Sequence, residues 1–419
     1  FMAACLLGLW LRYEFARVSS EGVDSDYWRH IPVQSLATEP ASDCATQYPQ
    51  KRALFGALHV HTAASYDAAA FGSKTTVDQA YRFARGEPVT LGLRGDTADV
   101  QAPRVRISSP LDFMAVTDHA ESLGELRLCF DPASEAHGTL LCRLYRGDLR
   151  IPAEEDMQPI LRLATLAIFG QDRPIRICGE GGIRCQDQAV LAWQHNQRVT
   201  EANHDSSGEC SFTTLHGYEY SLAESSSNLH RNVLFASDVV PQAALSAKDA
   251  PTPEALWSWL QARCIEGHPN CDVLAIPHNS NWSSGRMWYP YSNRELDVAE
   301  RRNQATLRAR LEPLVEIMQT KGDSECRNGI ASVLGPVDEF CDFEKLRPAD
   351  EVIEDCGESM GSGGMLLQGC ASRYSYVRYA LAAGLKEKQA LGVNPFAMGI
   401  VAASDTHNGT PAAGTERRY

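Results

Sequence analysis

Apolar, strand-like segments that run into a histidine or an acidic residue recur along this chain, and this pattern constrains the fold more than any other feature. Parallel strands that close into a barrel deliver the residues at their carboxyl ends to one shared mouth. Imidazoles and carboxylates gathered at such a mouth suit a cluster of divalent metal ions. The residues in this setting are His59, His61, Asp118, His119, Glu219, His230, His278, Asp405 and His407.

The apolar segments predict seven β-strands separated by helices. Residues 75–85, 253–264 and 373–385 have helical character, and threonines are placed to cap the first two of these helices. Continuous apolar strands that alternate with helices are typical of parallel sheets covered on both faces. We therefore expect an α/β fold with strands at residues 53–61, 111–117, 212–220, 230–235, 272–277, 314–318 and 398–403.

Length and composition favour one elaborated domain. The chain has 419 residues, of which 44% are hydrophobic, and this is enough to bury a large core. The candidate ligands extend from His59 to His407, so a domain boundary between them would divide the site. We predict a lead-in over residues 1–50 and one domain over residues 51–419, with a cysteine-rich insertion at about 125–210. A net charge of -14 argues against a nucleic-acid scaffold, which needs many Lys and Arg contacts to phosphates.

Thirteen cysteines are many for an intracellular enzyme, and none lies in a CxxC pair of the zinc or redox type. Closely spaced cysteines that flank short loops are typical of disulfides formed in an oxidising compartment. Spacing alone does not fix the connectivity, and a set of buried free thiols is the alternative. The close pairs are Cys129 with Cys142, Cys178 with Cys185, Cys264 with Cys271, Cys326 with Cys341, and Cys356 with Cys370.

The amino end of the chain supports export. Residues 1–11 are almost wholly apolar, and this run is too short to span a bilayer. We interpret it as the remainder of a signal segment or membrane anchor, or as a first helix packed on the body of the protein. We therefore expect a periplasmic or secreted protein, with membrane attachment through the amino end as an alternative.

Paired ligands at strand ends strengthen the metal hypothesis. Side chains alternate along a strand with a period of two, so His59 and His61 lie on one side and can bind one ion. Asp118 and His119 follow an apolar strand, where a buried carboxylate is costly without a partner or a metal. The Asp-x-His sequence at 405–407 repeats this pairing near the other end of the chain.

In their order and their strand-end placement, these motifs resemble the polymerase and histidinol phosphatase (PHP) superfamily of metal-dependent phosphoesterases, and within it an exported branch of uncharacterised function. The resemblance runs from about residue 53 to 414 and leaves the insertion and the amino end outside it. The matching motifs are FGALHVHT at 55–62, VTDHAE at 116–121, GYEY at 217–220, HRNV at 230–233, IPHN at 276–279 and ASDTH at 403–407.

The resemblance implies a distorted seven-stranded (β/α)7 barrel with two or three divalent metals at its mouth. The implied ions are Mn, Zn or Fe, with Mg or Ca as alternatives at the third site. Asp67 stands where the family often has a histidine, which changes the charge and softness of that third site. By position, His59, His61, Glu219 and Asp405 would hold one metal, Glu219 would bridge to a second held also by His230 and His278, and Asp67, His119 and His407 would hold the third.

The same resemblance implies that the protein hydrolyses a small-molecule phosphate monoester or diester by attack of a metal-bridging hydroxide. Clustered cations stabilise the charge that builds on the phosphoryl group and generate hydroxide near neutral pH, so no side-chain nucleophile is required. Guanidinium and ammonium groups bind phosphate oxygens. We expect Glu219, Asp405, Arg231 and Arg286 to take part in catalysis, and Arg231, Asn279, Arg286 and Lys321 to bind the substrate.

Two other functions stay open. An amidohydrolase-type enzyme would keep the barrel and the metals but would cleave a C–N or C–O bond. Such enzymes also begin with an HxH strand, but they commonly bridge their metals with a carbamylated lysine, and this chain has Glu219 at that position. A non-catalytic metal-binding protein would keep the metals without turnover.

Overall fold

The computed structural model describes residues 12–18, 28, 31–36, 44, 45, 48, 50–92, 102–149, 153–154, 157–167, 172–330, 337–348 and 351–411. The chain divides into two units, each assembled from separate stretches of sequence. The first unit comprises Phe1–Tyr218, Ser237–Pro251 and Thr406–Tyr419, and the second comprises Glu219–Ala236 and Thr252–Asp405.

The strands are mostly short. Each of the seven segments that the sequence predicts to be extended contains residues of one strand. In chain order they are β1 Arg17–Val18, β2 Val33–Ser35, β3 Gly56–Ala57, β4 Val89–Thr90, β5 Arg104–Val105, β6 Phe113–Ala115, β7 Arg173–Pro174, β8 Thr213–Glu224, β9 Ser227–Phe235, β10 Val239–Pro241, β11 Val273–Pro277, β12 Leu314–Gln319, β13 Gly322–Asp323 and β14 Gly399–Ala402.

The helices agree with the sequence where a cap marks their start. Thr76 and Thr252 each accept a hydrogen bond from a backbone N–H of the first turn, and they open the helices predicted at 75–85 and 253–264. The α-helices are α1 Tyr66–Ala70, α2 Val77–Ala84, α3 Leu123–Phe130, α4 Leu140–Arg146, α5 Gln158–Ala167, α6 Ile175–Cys178, α7 Ile183–Asn203, α8 Pro253–Leu260, α9 Val298–Leu311 and α10 Val377–Leu391.

The predicted seven-stranded barrel is wrong. The described strands form five sheets of two to five strands, and none of these sheets closes. The largest sheet has the order β11-β9-β8-β6-β3, whereas β12 and β14 belong to a separate sheet with β13. The fold is a mixed α/β arrangement of small sheets.

A hairpin explains why the barrel prediction fails. Only Ser225 and Ser226 separate β8 from β9, and both have positive φ angles, 51° and 52°, as in a tight hairpin turn. A two-residue connection joins antiparallel strands, whereas parallel strands need a crossover of a dozen or more residues. β9 and β11 are antiparallel as well. The apolar pattern locates strands but carries no information on the direction of their neighbours.

In the first unit, β6 pairs in parallel with β3 and with the start of β8. Helix α2 covers these strands, and its Tyr81 packs in one apolar cluster with Met114 and Phe212. The segment predicted as an insertion forms helices α3 to α7 of this unit. Helices α3 and α7 approach so closely that a Cβ on Gly124 would lie 1.9 Å from the carbonyl oxygen of Cys185.

In the second unit, β12 pairs in parallel with β14 and antiparallel with β13. Buried aromatic rings of this unit pack around an arginine, Arg308. The guanidinium of Arg308 lies 4.7 Å from the Trp288 ring centroid and 4.9 Å from that of Phe396. Such contacts bury a long cationic side chain against apolar surface.

Six disulfides join described cysteines, and five of them are the close pairs that the sequence predicts. The sixth joins Cys44 to Cys210, which are 166 residues apart, and the spacing of the cysteines does not predict it. These bonds indicate an oxidising environment, extracellular or periplasmic. Of the helices in the described ranges, none has the length and apolar character needed to cross a membrane. Residues 1–11, interpreted above as a signal or an anchor, lie outside the described residues.

Candidate metal centres

Four predicted ligands come together in the first unit. The ligand atoms of His61, Asp67, His119 and His407 all lie within 4.8 Å of one another. Oδ2 of Asp67 is 2.9 Å from Nε2 of His119 and 2.7 Å from Nε2 of His407. The ring centroid of His61 is 4.7 Å from that of His119 and 4.4 Å from that of His407. Three imidazoles around one carboxylate form a donor set suited to a divalent transition metal.

Backbone hydrogen bonds bring His407 beside His61, although the two are far apart in sequence. The N–H of His61 donates to the carbonyl oxygen of Thr406 at 2.8 Å, and the N–H of Gly409 donates to that of His61 at 3.0 Å. Val60 and Thr406 also form a parallel bridge. The segment around Thr406 is therefore fixed against Val60 and His61, which follow β3.

Asp118 supports this group without joining it. Its carboxylate accepts hydrogen bonds from the backbone N–H of Thr62 at 2.6 Å and from the Thr62 hydroxyl at 2.8 Å. Burial raises the pKa of Asp118, and the bonds from Thr62 and the nearby His61 oppose that rise only in part. The two residues of the strand-end Asp-His pair therefore have different roles. Asp118 anchors the loop after His61, whereas His119 belongs to the ligand group.

Ser65 and Tyr66 are site residues that the sequence analysis missed. The Ser65 hydroxyl lies 2.9 Å from Nδ1 of His61, donates to Oδ1 of Asp67 at 3.0 Å and accepts from the His119 N–H at 3.2 Å. The Tyr66 ring packs against His119 with centroids 4.4 Å apart. A serine before a short helix is visible in the sequence only as an N-cap, and its contact with three ligands depends on long-range folding.

Asp67 is held in its ionised form. It lies in the first turn of α1 and is buried. Burial alone would raise the pKa of Asp67, but the charges and hydrogen bonds of His119 and His407 outweigh it and hold that pKa well below its usual range. An ionised carboxylate is the form that binds a cation.

A second group forms within the second unit from adjacent strands. Oε1 of Glu219, on β8, lies 2.7 Å from Nδ1 of His230 on β9 and 3.2 Å from Nε2 of His278, which follows β11. The register sets this geometry, because Pro277 pairs with Arg231 and the N–H of His278 donates to the His230 carbonyl at 3.3 Å. All three side chains are buried. Carboxylate and imidazole are again ligand types that divalent metals accept.

Asp405, Asn279 and Lys321 form a polar cluster in the second unit. The ammonium of Lys321 pairs with Oδ2 of Asp405, which also accepts from Nε2 of Gln319 at 2.6 Å. Gln319 donates to Asn279 as well, and the Asn279 amide oxygen lies 3.0 Å from Nδ1 of His278. Asn279 and Asp405 both have left-handed backbones, with φ of 51° and 48°, which is uncommon outside glycine. Their placement depends on tertiary contacts.

The remaining predicted metal set draws on both units, with His59 and His61 in the first and Glu219 and Asp405 in the second. His59 is fully buried, and its ring centroid lies 5.1 Å from that of His61. The HxH pair therefore stays together in the first unit, as its spacing predicts.

The structure places Arg231 and Arg286 away from the Glu219 group. Neighbouring residues of a strand point to opposite faces, so Arg231 faces away from His230 on β9. Nε of Arg231 donates to Glu312 at 2.8 Å, and Nη1 of Arg286 donates to Glu224 at 2.7 Å. Both arginines line a separate cavity of the second unit.

These features define a disulfide-bonded α/β protein with buried histidine and carboxylate groups that could bind metal ions. The family model described as "Protein of unknown function (DUF3604)" matches residues 48–419, and the chain belongs to this family. No curated protein matches the chain, and no solved structure matches it. Family membership thus covers most of the chain and supplies no activity.

Proposed function

We propose that this protein is a metal-dependent phosphoesterase related to the PHP superfamily that its motifs resemble. One observation carries the proposal. In each unit a buried carboxylate, Asp67 or Glu219, has two imidazole nitrogens within 3.2 Å. Two such groups in one chain are hard to account for as ordinary core polar residues, because burying charged and polar side chains together is costly.

The residues fit divalent metals in their supporting contacts as well as in their donor atoms. Imidazoles that bind metals usually hydrogen-bond through the other ring nitrogen, which fixes the orientation of the ring. Nδ1 of His61 bonds Ser65 in this way, and Nδ1 of His278 bonds Asn279. In the proposal, His61, Asp67, His119 and His407 hold one ion, and Glu219, His230 and His278 hold another. A third divalent ion is the further part of the proposal.

Mn, Zn or Fe bound in this way supplies a Lewis acid that activates water and stabilises the charge of the phosphoryl transition state. The chain's own residues position the ligands. Thr62 and Asp118 hold the loop after His61, and the Ser65 hydroxyl contacts the side chains of His61 and Asp67 and the backbone N–H of His119.

Of the predicted substrate contacts, Asn279 lies beside the candidate ligand His278, and Lys321 lies beside Asp405 with its side chain 32% exposed. Lys321 is suited to bind a phosphate oxygen from solvent.

The proposed reaction takes place outside the cell or in the periplasm, on a small phosphate ester. Attachment to a membrane through residues 1–11 is a separate part of the proposal, and fractionation of expressing cells tests it. Recovery of all the protein in the soluble extracellular or periplasmic fraction would rule out the attachment.

The proposal is tested by hydrolysis of p-nitrophenyl phosphate and bis-p-nitrophenyl phosphate after loading with Mn, Zn or Fe. We expect wild type to cleave at least one of them, and Asp67→Asn or Glu219→Gln to lower kcat/KM by about 100-fold or more. The matched controls are Asp78→Asn and Glu266→Gln, both exposed, which should retain wild-type rates.

Three results would overturn the proposal. If metal-loaded wild type cleaves no phosphoester, the alternative of a non-catalytic metal-binding protein is supported. Cleavage of amides or lactones in place of phosphoesters would support the amidohydrolase alternative. Equal rates in wild type and in both ligand variants would place the activity elsewhere.

A further inference from the structure

Asn232 is a buried polar residue of the second unit to which the sequence analysis gave no role. It lies on β9 and is 1% exposed. Neither Oδ1 nor Nδ2 of its side chain has a hydrogen-bond partner among the residues that the structure describes. A buried carboxamide without partners is destabilising, and a leucine would fill a similar volume without that penalty. Core packing alone therefore does not explain an asparagine at this position.

Asn232 lies on the face of β9 that carries the second candidate metal group. Side chains two residues apart along a strand share a face, so Asn232 points to the same side as His230. On the neighbouring strand β11, Ile276 pairs with Asn232 and lies two residues before His278. The carboxamide is thus directed to the side of the sheet on which the imidazoles meet Glu219.

The hairpin between β8 and β9 places Asn232 opposite Glu219. A two-residue turn joins β8, which ends at Glu224, to β9, which begins at Ser227. These two ends pair, and equal steps away from the turn reach Glu219 on one strand and Asn232 on the other. Directly opposite residues of an antiparallel pair have Cβ atoms about 4.5–5.5 Å apart. The 2.7 Å contact between Glu219 and His230, a diagonal neighbour, agrees with this register.

The carboxamide of Asn232 has the donor that a metal-binding carboxylate needs. It offers two N–H donors and one acceptor oxygen. Carboxylates that bind metals are themselves held by hydrogen bonds from neighbouring groups. Oε1 of Glu219 now contacts Nδ1 of His230 and Nε2 of His278, and these are the atoms with which the group would hold an ion. Metal binding would replace those contacts, so Glu219 would gain from a separate donor.

We propose that Asn232 is a positioning residue of the second group. When an ion binds, Nδ2 of Asn232 donates to the Glu219 carboxylate and holds it in the orientation that ligates the ion. The unpartnered amide then lowers the stability of the metal-free protein in exchange for tighter metal binding. The inference rests on the metal binding in the proposed function, and it does not depend on which bond the protein hydrolyses.

Asn232→Leu separates this role from a structural one. Because the variant removes an unpartnered amide, chelator-treated Asn232→Leu should unfold at a temperature about 2 °C or more above that of chelator-treated wild type. In an Asp67→Asn background, the same substitution should weaken Zn binding by the second group by about 10- to 100-fold. Differential scanning calorimetry measures the first effect, and competition with a chelator measures the second.

Asn203→Leu is the matched control. Asn203 is also buried, but its Nδ2 donates to Asp78 at 3.2 Å and to the Val199 carbonyl at 3.0 Å. Replacement by leucine breaks both bonds, so the metal-free control should unfold at a lower temperature than wild type. Because Asn203 lies on α7 of the first unit, its loss should leave Zn binding by the second group unchanged.

Two results would overturn the inference and leave the metal centre in place. If Asn232→Leu binds Zn as tightly as its Asp67→Asn background, Asn232 does not support Glu219. If metal-free Asn232→Leu unfolds at a lower temperature than wild type, the amide stabilises the fold and Asn232 is a structural residue. A different result separates the two proposals, since an Asp67→Asn protein that binds no Zn would refute the second metal centre and the inference with it.

Discussion

The two units place a carboxylate between two imidazoles by different structural means. In the second unit, Glu219, His230 and His278 lie on or directly after neighbouring strands, so sheet register alone brings them together. In the first unit, Asp67 lies on a five-residue helix, and its partner His407 comes from the far end of the chain. The first group therefore depends on a short helix, on the Ser65 hydroxyl and on backbone contacts between distant segments, and the second depends on the register of neighbouring strands. The predictions below test that difference.

The largest expected effect concerns the long disulfide of the first unit. Cys44 and Cys210 are 166 residues apart, whereas Cys264 and Cys271 in the second unit are separated by 7. If a disulfide acts by restricting the unfolded chain, its loss costs about 5 kcal/mol for the long loop and about 2 kcal/mol for the short one. Urea unfolding of the two double alanine variants measures both values. Equal losses would contradict this account.

Glu125→Gln should destabilise the first unit by about 3 to 5 kcal/mol, since it removes one partner from a buried ionic network. Glu125 lies 2.8 Å from Lys248 and 3.4 Å from Arg173, which also pairs with Asp249 at 2.8 Å. Glu135→Gln is the control, because Glu135 is 92% exposed. Urea unfolding at pH 7 compares them, and a small loss for Glu125→Gln would show that the network is not needed.

The same network predicts a pH dependence. Burial raises the pKa of Glu125, but Lys248 and Arg173 outweigh it and lower that pKa below its usual range. The stabilisation from Glu125 is therefore complete above its unfolded pKa of about 4.3 and is lost as the pH falls through the folded value. The difference in unfolding free energy between wild type and Glu125→Gln should shrink below about pH 4. A difference that grows on acidification would contradict the assigned direction.

Ser65→Ala should weaken metal binding by the first group by about 10- to 100-fold, because the hydroxyl orients three of its ligands. Competition with a chelator in a Glu219→Gln background reports on this group alone. Ser73→Ala is the matched control, since its buried hydroxyl has no hydrogen-bond partner among the described residues. If Ser65→Ala binds metal as tightly as wild type, Ser65 does not support the ligands of the first group.

Asn279→Gly should have the smallest effect, about tenfold or less on metal binding by the second group. Glycine keeps the left-handed backbone at φ of 51° and removes the amide contacts with Nδ1 of His278 and with Gln319. Sheet register still holds His278, so the loss should be smaller than for Ser65→Ala. Chelator competition in an Asp67→Asn background measures it, and a loss equal to that of Ser65→Ala would erase the contrast between the groups.

The sequence predicts the features that depend on neighbouring residues. Thr76 and Thr252 mark helix starts because capping is local, and close cysteine pairs such as Cys264 and Cys271 join because their loops are short. The assembly of the sheets, barrel closure and the Cys44–Cys210 bond depend on distant parts of the chain, and the sequence does not predict them.

The candidate site divides in the same way. The ligands are found because histidines and acids at strand ends form a recognisable series, and the structure brings two of the three predicted sets together within single units. Ser65 is missed because a serine has many local uses. Arg231 is a different case, since the alternation of side chains along β9 already predicts that it faces away from His230.

The most direct test of the account is the metal content of chelator-treated protein reloaded with Mn, Zn or Fe, measured by mass spectrometry. Wild type, Asp78→Asn and Glu266→Gln should bind about two or three ions per chain, and Asp67→Asn and Glu219→Gln should each lose about one of them. Wild type that retains no ion, or ligand variants that keep the full complement, would contradict the claim that these groups are metal centres.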